Sequence, residues 1–241
     1  MRQAMIFAAG LGTRLKPLTD TMPKALVKVA GQPLLWHVVQ KLKAAGFERI
    51  VVNVHHFAGQ ITDYLSANGN FGLDIRVSDE TAMLLETGGG IKKAAPLFDP
   101  ESPILIHNVD ILSNVDLAEL YCQSLSNDAT LLVSRRDTSR YLMFAPDMQL
   151  TGWINIKTGE TKGPCPPHIP SQQYAFSGIH VFSPRLFPLM AHWQAKFGII
   201  DFYLQTCATH KVKGMAKDDL RLLDVGKLDS LDKAEIFINN K

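Results

Sequence analysis

Short apolar runs alternate with helical hydrophobic patterns through the first half of the chain. The apolar runs cover residues 5–9, 50–54, 73–77 and 104–106, and the helical patterns cover residues 34–45, 59–67 and 90–95. Runs of this length, separated by helices, are typical of buried strands in a parallel sheet. The sequence therefore predicts an α/β fold whose sheet carries helices on both faces.

The second half has a different pattern, which predicts further strands over the sheet. From residue 129 onward, strands are predicted at residues 130–134, 141–145, 151–156, 174–182 and 222–225, and helices at 184–192, 201–210 and 229–238. A loop rich in proline and glycine covers residues 159–170. Because single α/β domains of this size are common, we expect one domain over residues 1–241, with a small added β region.

Composition excludes several classes of partner. The net charge is +2 and no run of basic residues occurs, so neither nucleic acid nor an anionic membrane is an expected partner. No stretch approaches the ~20 apolar residues that span a bilayer, and the first apolar run is too short for a secretory signal. Cys122, Cys165 and Cys207 are far apart and odd in number, which fits a reducing compartment. We therefore expect a cytoplasmic protein.

A loop with two glycines follows the first predicted strand. In open α/β sheets, ligands bind beyond the carboxyl ends of the strands. Gly10 and Gly12 remove side chains where backbone has to approach a ligand, and they allow successive N–H groups to point at phosphate oxygens. A tight turn without a ligand is the alternative that the glycines alone leave open.

Two familiar phosphate-binding motifs do not fit this loop. The third glycine of the dinucleotide fingerprint G-x-G-x-x-G is replaced by Leu15. The second strand ends in Asn53, Val54 and His55, without the acidic residue that would hold a ribose. No G-x-x-x-x-G-K-[ST] motif occurs in the chain.

Two cations distinguish the loop from those motifs. Arg14 lies two residues beyond Gly12, and Lys24 follows Pro23. An arginine can hold phosphate oxygens with two parallel hydrogen bonds, whereas a lysine acts as a compact point charge. Either residue alone is readily explained as a solvated surface cation. Together they indicate a binding site for a triphosphate, in which they would neutralise the charge that develops as pyrophosphate leaves.

These residues belong to a set of linked motifs. The motifs are FAAGLGTRLKPLT at residues 7–19, PKAL at 23–26, GQPL at 31–34, ETGGGI at 86–91, NVD at 108–110, FSGIH at 176–180 and DVG at 224–226. The set resembles the signature of the sugar-1-phosphate nucleotidyltransferases and extends over nearly the whole chain. Within that family the chain is most similar to the N-acetylmuramate 1-phosphate uridylyltransferases.

The resemblance implies a Rossmann-like core with a nucleotide-binding half, residues 1–128, and a sugar-binding half, residues 129–241. It implies that a nucleoside triphosphate, UTP, and a sugar 1-phosphate, N-acetylmuramic acid 1-phosphate, give a nucleotide sugar for cell-wall precursors, with release of pyrophosphate. It also implies Mg²⁺ as cofactor. The sequence does not choose between a monomer and a small homo-oligomer.

The resemblance further implies a role for individual positions. The nucleotide-binding residues would be Ala8, Ala9, Gly10, Gly12, Thr13, Arg14, Lys24 and Gly88. The sugar-binding residues would be Glu86, Asn155 and Gly178, the catalytic residues Arg14, Lys24 and Asp110, and the metal ligands Asp110 and Asp224. The residue types themselves also support Asp110 and Asp224 as metal ligands, because each aspartate follows an apolar strand and Mg²⁺ favours carboxylate and phosphate oxygens. A turn or helix cap is the alternative for either aspartate taken singly.

Two other functions stay open at this point. The Glu-Lys-Pro motif of related hexose enzymes is replaced by Trp153-Ile-Asn-Ile, which argues against a simple glucose substrate. A guanylyl- or thymidylyltransferase that acts on a hexose 1-phosphate remains an alternative within the enzymes. A non-catalytic sugar-nucleotide sensor is an alternative of another class, although such a protein would not need Arg14, Lys24 and both aspartates.

Overall fold

The computed structural model describes residues 1–239 of the protein, and residues 240 and 241, the last two of the predicted domain, lie outside the described residues. The strands are β1 (Gln3–Phe7), β2 (Lys28–Val29), β3 (Gln32–Pro33), β4 (Arg49–Val54), β5 (Asp74–Asp79), β6 (Ile104–Asn108), β7 (Ile111–Ser113), β8 (Ala129–Ser134), β9 (Arg140–Phe144), β10 (Leu150–Asn155), β11 (Thr161–Lys162), β12 (Gln172–Phe182), β13 (Val212–Ala216) and β14 (Leu222–Asp224). The α-helices are α1 (Leu34–Ala44), α2 (Ala58–Ala67), α3 (Glu86–Ala94), α4 (Leu117–Gln123), α5 (Ile199–Thr206) and α6 (Leu231–Asn239).

The main sheet has the strand order β11-β10-β9-β12-β6-β1-β4-β5, and β8 and β13 continue it beside β12. Its centre is parallel, because β1 lies between β4 and β6 and β5 follows on the outer side of β4. The long strand β12 runs antiparallel to β6, β8 and β9, and so joins the added β region to the parallel strands. The predicted α/β fold with a mixed, Rossmann-like sheet is thus confirmed.

Hydrophobic residues cover both faces of the sheet, as the alternation of side chains along a strand requires. Ala4 and Ile6 of β1 pack into the core on the side of α1, whereas Met5 packs into the core on the side of α3 and α5. Every side chain of β1 except that of Phe7 is fully buried. No described helix is long and apolar enough to cross a membrane.

Several elements differ from the sequence prediction. Helix α3 begins at Glu86, four residues before the predicted start, because its three glycines are buried against neighbouring segments although glycine is a poor helix former. The short elements β7, α4 and β13 were not predicted. Pro184–Met190 forms a 3-10 helix in place of the predicted α-helix, since Pro188 lies inside it and cannot donate a backbone hydrogen bond.

Candidate active site

A cleft of about 260 Å³ opens at the carboxyl ends of β1 and β6, where ligands of parallel sheets are expected. We call it the loop cleft. Of the predicted site residues it is lined by Ala8, Ala9, Gly10, Lys24, Glu86 and Asp110. Part of the predicted nucleotide site and one predicted metal ligand thus share one cavity with Glu86, which was predicted for the sugar. The predicted residues Gly12, Thr13, Arg14, Gly88 and Asp224 do not line this cavity.

Glycine occurs at positions 10 and 12 of the loop for different structural reasons. Gly12 has a φ of +64°, and a Cβ on it would lie 2.8 Å from Cγ2 of Thr19 and 3.0 Å from Cβ of Lys24. Its own carbonyl accepts a hydrogen bond from the Thr19 hydroxyl at 2.8 Å. Gly10, in contrast, is exposed and a Cβ on it would meet nothing within 4 Å. Packing therefore requires glycine at position 12, whereas at position 10 the open space belongs to the cleft.

The start of the loop is held by a buried asparagine that sequence reasoning did not identify as functional. Oδ1 of Asn53, at the end of β4, accepts hydrogen bonds from the N–H of Ala8 at 2.7 Å and of Ala9 at 3.3 Å. Its Nδ2 donates to Oε1 of the fully buried Glu80 at 2.7 Å. The amides of Ala8 and Ala9 are therefore bonded within the protein. A polar residue inside the apolar run 50–54 was the available signal.

Replacing this asparagine is expected to destabilise the fold. Asn53→Ala leaves two buried N–H groups and one buried carboxylate oxygen without their partner, which costs on the order of 2–4 kcal/mol in the free energy of unfolding. Urea denaturation measures the loss, and amide exchange at residues 8 and 9 should accelerate.

Asn68→Ala is the matched control, because its exposed amide donates one hydrogen bond to the Tyr64 carbonyl at 2.7 Å. We expect this variant to lose less than about 1 kcal/mol. An equal loss in the two variants would contradict a special role for Asn53 in holding the loop.

Four charged side chains from three parts of the chain meet at the mouth of the loop cleft. Lys24 forms an ion pair with Asp110, and both side chains are largely buried. The carbonyl of Asp110 accepts a hydrogen bond from Val225 N at 2.8 Å, which places Asp224 beside Asp110. A Cβ on Gly226 would lie 2.6 Å from Nη2 of Arg14 and 2.6 Å from Oδ1 of Asp224. Two cations thus flank two carboxylates.

The electrostatics of this cluster fit a divalent cation bound with phosphate. Desolvation raises the pKa of Asp224, the negative charge of Asp110 raises it further, and the charges of Lys24 and Arg14 act in the opposite direction. Two neighbouring carboxylates that repel each other would gain from a shared Mg²⁺, which favours carboxylate and phosphate oxygens. The described residues contain no cluster of three or more potential metal-ligating side chains, so phosphate oxygens would complete the coordination.

Helix α3 contains Gly88, for which the resemblance implies a nucleotide-binding role. The N–H groups of Gly88 and Gly89 donate to the Phe197 carbonyl at 2.9 and 3.2 Å. A Cβ on Gly88 would lie 2.3 Å from the Phe197 ring, and one on Gly89 would lie 2.1 Å from the Ala195 carbonyl oxygen. These glycines therefore serve close packing, and the N–H of Gly88 is not available to a nucleobase in this arrangement.

The remaining predicted sugar residues lie apart from each other. Gly178 has a φ of +78°, and a Cβ on it would lie 2.7 Å from Nδ2 of Asn108, two residues before Asp110. Asn155 ends β10, and its Oδ1 accepts a hydrogen bond from Lys157 N at 3.1 Å. Gly178 thus adjoins the charged cluster, whereas Asn155 does not line the loop cleft.

Two buried histidines, one in β6 and one in β12, carry no positive charge. Burial lowers the pKa of His107 in β6 to about 4, and the positive charge of Lys41 contributes in the same direction. His180 of β12 is also buried, which lowers its pKa to about 3. Both side chains are therefore neutral near pH 7, and Lys24 and Arg14 are the cations that the site presents to an anion.

Comparison with known proteins identifies close relatives. The family model described as "Nucleotidyl transferase" matches residues 3–241. The chain is 50% identical over 227 residues to the N-acetylmuramate alpha-1-phosphate uridylyltransferase of Caulobacter vibrioides, with 90% of this chain and 89% of that protein covered. It is 36% identical over 186 residues to the protein of the same name from Neisseria meningitidis serogroup B, with 77% of each covered.

A solved structure shares the fold at much lower sequence identity. The UDP-glucose pyrophosphorylase from Acinetobacter baumanii superposes with a TM-score of 0.79 over 98% of this chain and 93% of that one, at 17% identity. Identity at that level supports the arrangement of strands and helices alone.

Proposed function

The chain belongs to the nucleotidyl transferase family, and we propose that it joins N-acetylmuramic acid 1-phosphate to UTP with release of pyrophosphate. The observation that carries this proposal is the meeting of two cations and two carboxylates, Arg14 and Lys24 with Asp110 and Asp224, beside a glycine loop. The names of the two curated relatives support the choice of sugar and base.

The reaction that fits this site is a direct displacement. An oxygen of the sugar phosphate attacks the α-phosphorus of the triphosphate, a new P–O bond forms, and the bond to the β-phosphate oxygen breaks with its electrons, so that pyrophosphate leaves. Arg14 and Lys24 neutralise the charge that develops on the leaving phosphates. Gly10 leaves room for the triphosphate to approach the loop, whereas Gly12 allows the loop to pack against Thr19 and Lys24. No side chain acts as a nucleophile in this scheme.

Asp110 and Asp224 would hold Mg²⁺, which supplies positive charge to the reacting phosphates when it is bound. Asp110 also orients Lys24 through their ion pair. Holding the lysine in this way limits the freedom of its flexible side chain at the edge of the loop cleft.

The other assignments belong to the same proposal. Thr13 would contribute to the nucleotide side directly, and Gly88 only through the packing of α3 against Phe197. Glu86, Gly178 and Asn155 would contribute to the sugar side. Residues 1–128 and 129–241 would form the nucleotide and sugar halves of one domain. We propose that the protein acts in the cytoplasm, because UTP is found there and the three cysteines of the protein are free thiols. We propose that it acts as a monomer or a small homo-oligomer.

A grid of substrates tests this proposal. The purified protein with Mg²⁺ is offered UTP, GTP, dTTP, CTP and ATP, each with the 1-phosphates of N-acetylmuramic acid, N-acetylglucosamine, glucose and mannose, and pyrophosphate release is measured. We expect UTP with N-acetylmuramic acid 1-phosphate to give the highest kcat/KM, by at least about tenfold, which corresponds to ~1.4 kcal/mol of differential transition-state binding.

Each other outcome of the grid has a definite meaning. A preference for GTP or dTTP with a hexose 1-phosphate would replace the proposal with the guanylyl- or thymidylyltransferase alternative. Binding of nucleotides without pyrophosphate release in any combination would favour the non-catalytic sensor. Omission of Mg²⁺ from the preferred pair is the control for metal dependence.

A further inference from the structure

A second cleft, of about 350 Å³, lies between the added β region and α5. We call it the basic cleft. It is lined by strands β9, β10, β11 and β12, by the segment that follows β8 and by α5. Its charged and aromatic side chains are Arg136, Arg140, Trp153, Lys162, Phe176 and Asp201. Three cations and one carboxylate give the basic cleft an excess of positive charge, although the net charge of the whole chain is only +2.

Two of the three cations already have partners. Lys162 lies 3.3 Å from the Asp201 carboxylate and 5.4 Å from the centre of the Trp153 ring. Arg136 donates a hydrogen bond to the Phe176 carbonyl at 2.9 Å. The guanidinium of Arg140, in contrast, has no hydrogen bond or ion pair with any residue that the structure describes. Arg140 is therefore the side chain in this cleft that is ready to receive an anion.

The basic cleft and the loop cleft adjoin. A Cβ on Gly198 would lie 3.3 Å from Oδ2 of Asp201, which lines the basic cleft, and 4.0 Å from Oε2 of Glu86, which lines the loop cleft. In addition, the N–H of Ile199 at the start of α5 donates to the Thr87 hydroxyl at 2.9 Å. One ligand can therefore place a phosphate at the charged cluster and another group in the basic cleft.

We propose that the basic cleft binds the carboxylate of a sugar acid and that Arg140 makes the ion pair that selects it over a neutral sugar. This inference rests on the proposed function, because it assumes that the sugar 1-phosphate occupies the side of the loop cleft near Glu86. A guanidinium can bind a carboxylate through two parallel charge-assisted hydrogen bonds, which are stronger than bonds between neutral groups. Trp153 supplies an apolar wall beside the cations, as is usual in ligand pockets with few polar groups.

The charge pattern argues for a carboxylate rather than for a second phosphate group. Lys162 is neutralised by Asp201, and Arg136 is bound to a backbone carbonyl, so one uncommitted guanidinium remains. A single guanidinium matches the single charge of a carboxylate. In the proposed reaction the phosphates of both substrates meet at Arg14, Lys24 and the two aspartates, at the other cleft.

The test compares enzyme and substrate in pairs. Wild type and Arg140→Gln are assayed by pyrophosphate release with UTP and either N-acetylmuramic acid 1-phosphate or its carboxamide, in which the carboxylate is replaced by a neutral amide. We expect wild type to prefer the acid by about 10- to 100-fold in kcat/KM, as is typical for loss of a charge-assisted bond. In Arg140→Gln the preference should shrink to within about threefold, with the KM for UTP unchanged.

Lys157→Gln is the matched control, since it removes a nearby positive charge from an exposed side chain outside the basic cleft. This variant should keep the preference of wild type for the acid. The proposal about Arg140 is overturned if Arg140→Gln lowers kcat/KM by the same factor for the acid and for the carboxamide, so that the wild-type preference is kept.

Failure of the inference is distinguishable from failure of the proposed function. Calorimetric binding of the two sugar phosphates to wild-type protein, in the presence of a non-hydrolysable UTP analogue, does not require turnover. Equal dissociation constants for acid and carboxamide overturn the carboxylate site whatever the grid shows. Tighter binding of the acid without turnover supports the site and overturns the proposed reaction.

Discussion

Arg14→Ala is expected to lower kcat by about 10³- to 10⁵-fold, as removal of a transition-state arginine does in other phosphoryl-transfer enzymes. The side chain is exposed, and its guanidinium lies beside Gly226 and Asp224, at the edge of the carboxylate pair. Because it contributes no buried apolar surface to the core around Leu15, the variant should fold as wild type does. Steady-state pyrophosphate release and a urea denaturation curve measure the two effects separately.

Lys16→Ala is the matched control for this result. Lys16 is two residues further along the same loop and forms an exposed ion pair with Asp20 at 2.9 Å. Exposed pairs of this kind contribute little to stability, so kcat should stay within about twofold of wild type. Near-normal turnover of Arg14→Ala would remove Arg14 from the mechanism, and a parallel loss of stability would assign it a structural role.

Elements whose hydrophobic period is long and regular could be predicted from the sequence. Helix α1 was predicted at residues 34–45 and is found at Leu34–Ala44, because five of its side chains face the core at helical spacing. Strands β4 and β12 were predicted within two residues of their ends. Short elements such as β7 and β13 carry too few residues for a period, and their existence depends on pairing with β14 and β8.

Parts of the candidate site depend on contacts between distant segments, which a single sequence does not reveal. The sequence motifs located Lys24 and Asp110, and the structure brings them into an ion pair across 86 positions of the chain. The role of Asn53 depends on Glu80, which lies in a segment that had no predicted function. Gly88 was predicted to bind the nucleotide, yet Phe197 and Ala195, more than a hundred residues away, explain why Gly88 and Gly89 lack side chains.

Asp224→Asn is expected to separate activity from stability. The pKa of Asp224 is raised by desolvation and by Asp110, so its negative charge is less favourable in the folded protein than in the unfolded chain. Removing that charge should leave the metal-free variant at least as stable as wild type near pH 7. At the same time kcat should fall by about 10²- to 10³-fold, because the variant lacks one of the two proposed ligands of Mg²⁺, whose positive charge would stabilise the transition state.

The decisive measurement is the shift in Tm on addition of Mg²⁺ with a UTP analogue. A ligand that binds only the folded state raises Tm. The Tm of wild type should therefore rise, and the Tm of Asp224→Asn should rise less. Asp219→Asn is the matched control, because exposed Asp219 pairs with Lys217 at 2.8 Å, which lowers the pKa of Asp219. Loss of that favourable charge should slightly lower stability and leave the Mg²⁺ shift intact. A full Mg²⁺ shift in Asp224→Asn would contradict the assignment of Asp224 as a metal ligand and leave Asp110 as the one carboxylate proposed to hold the ion.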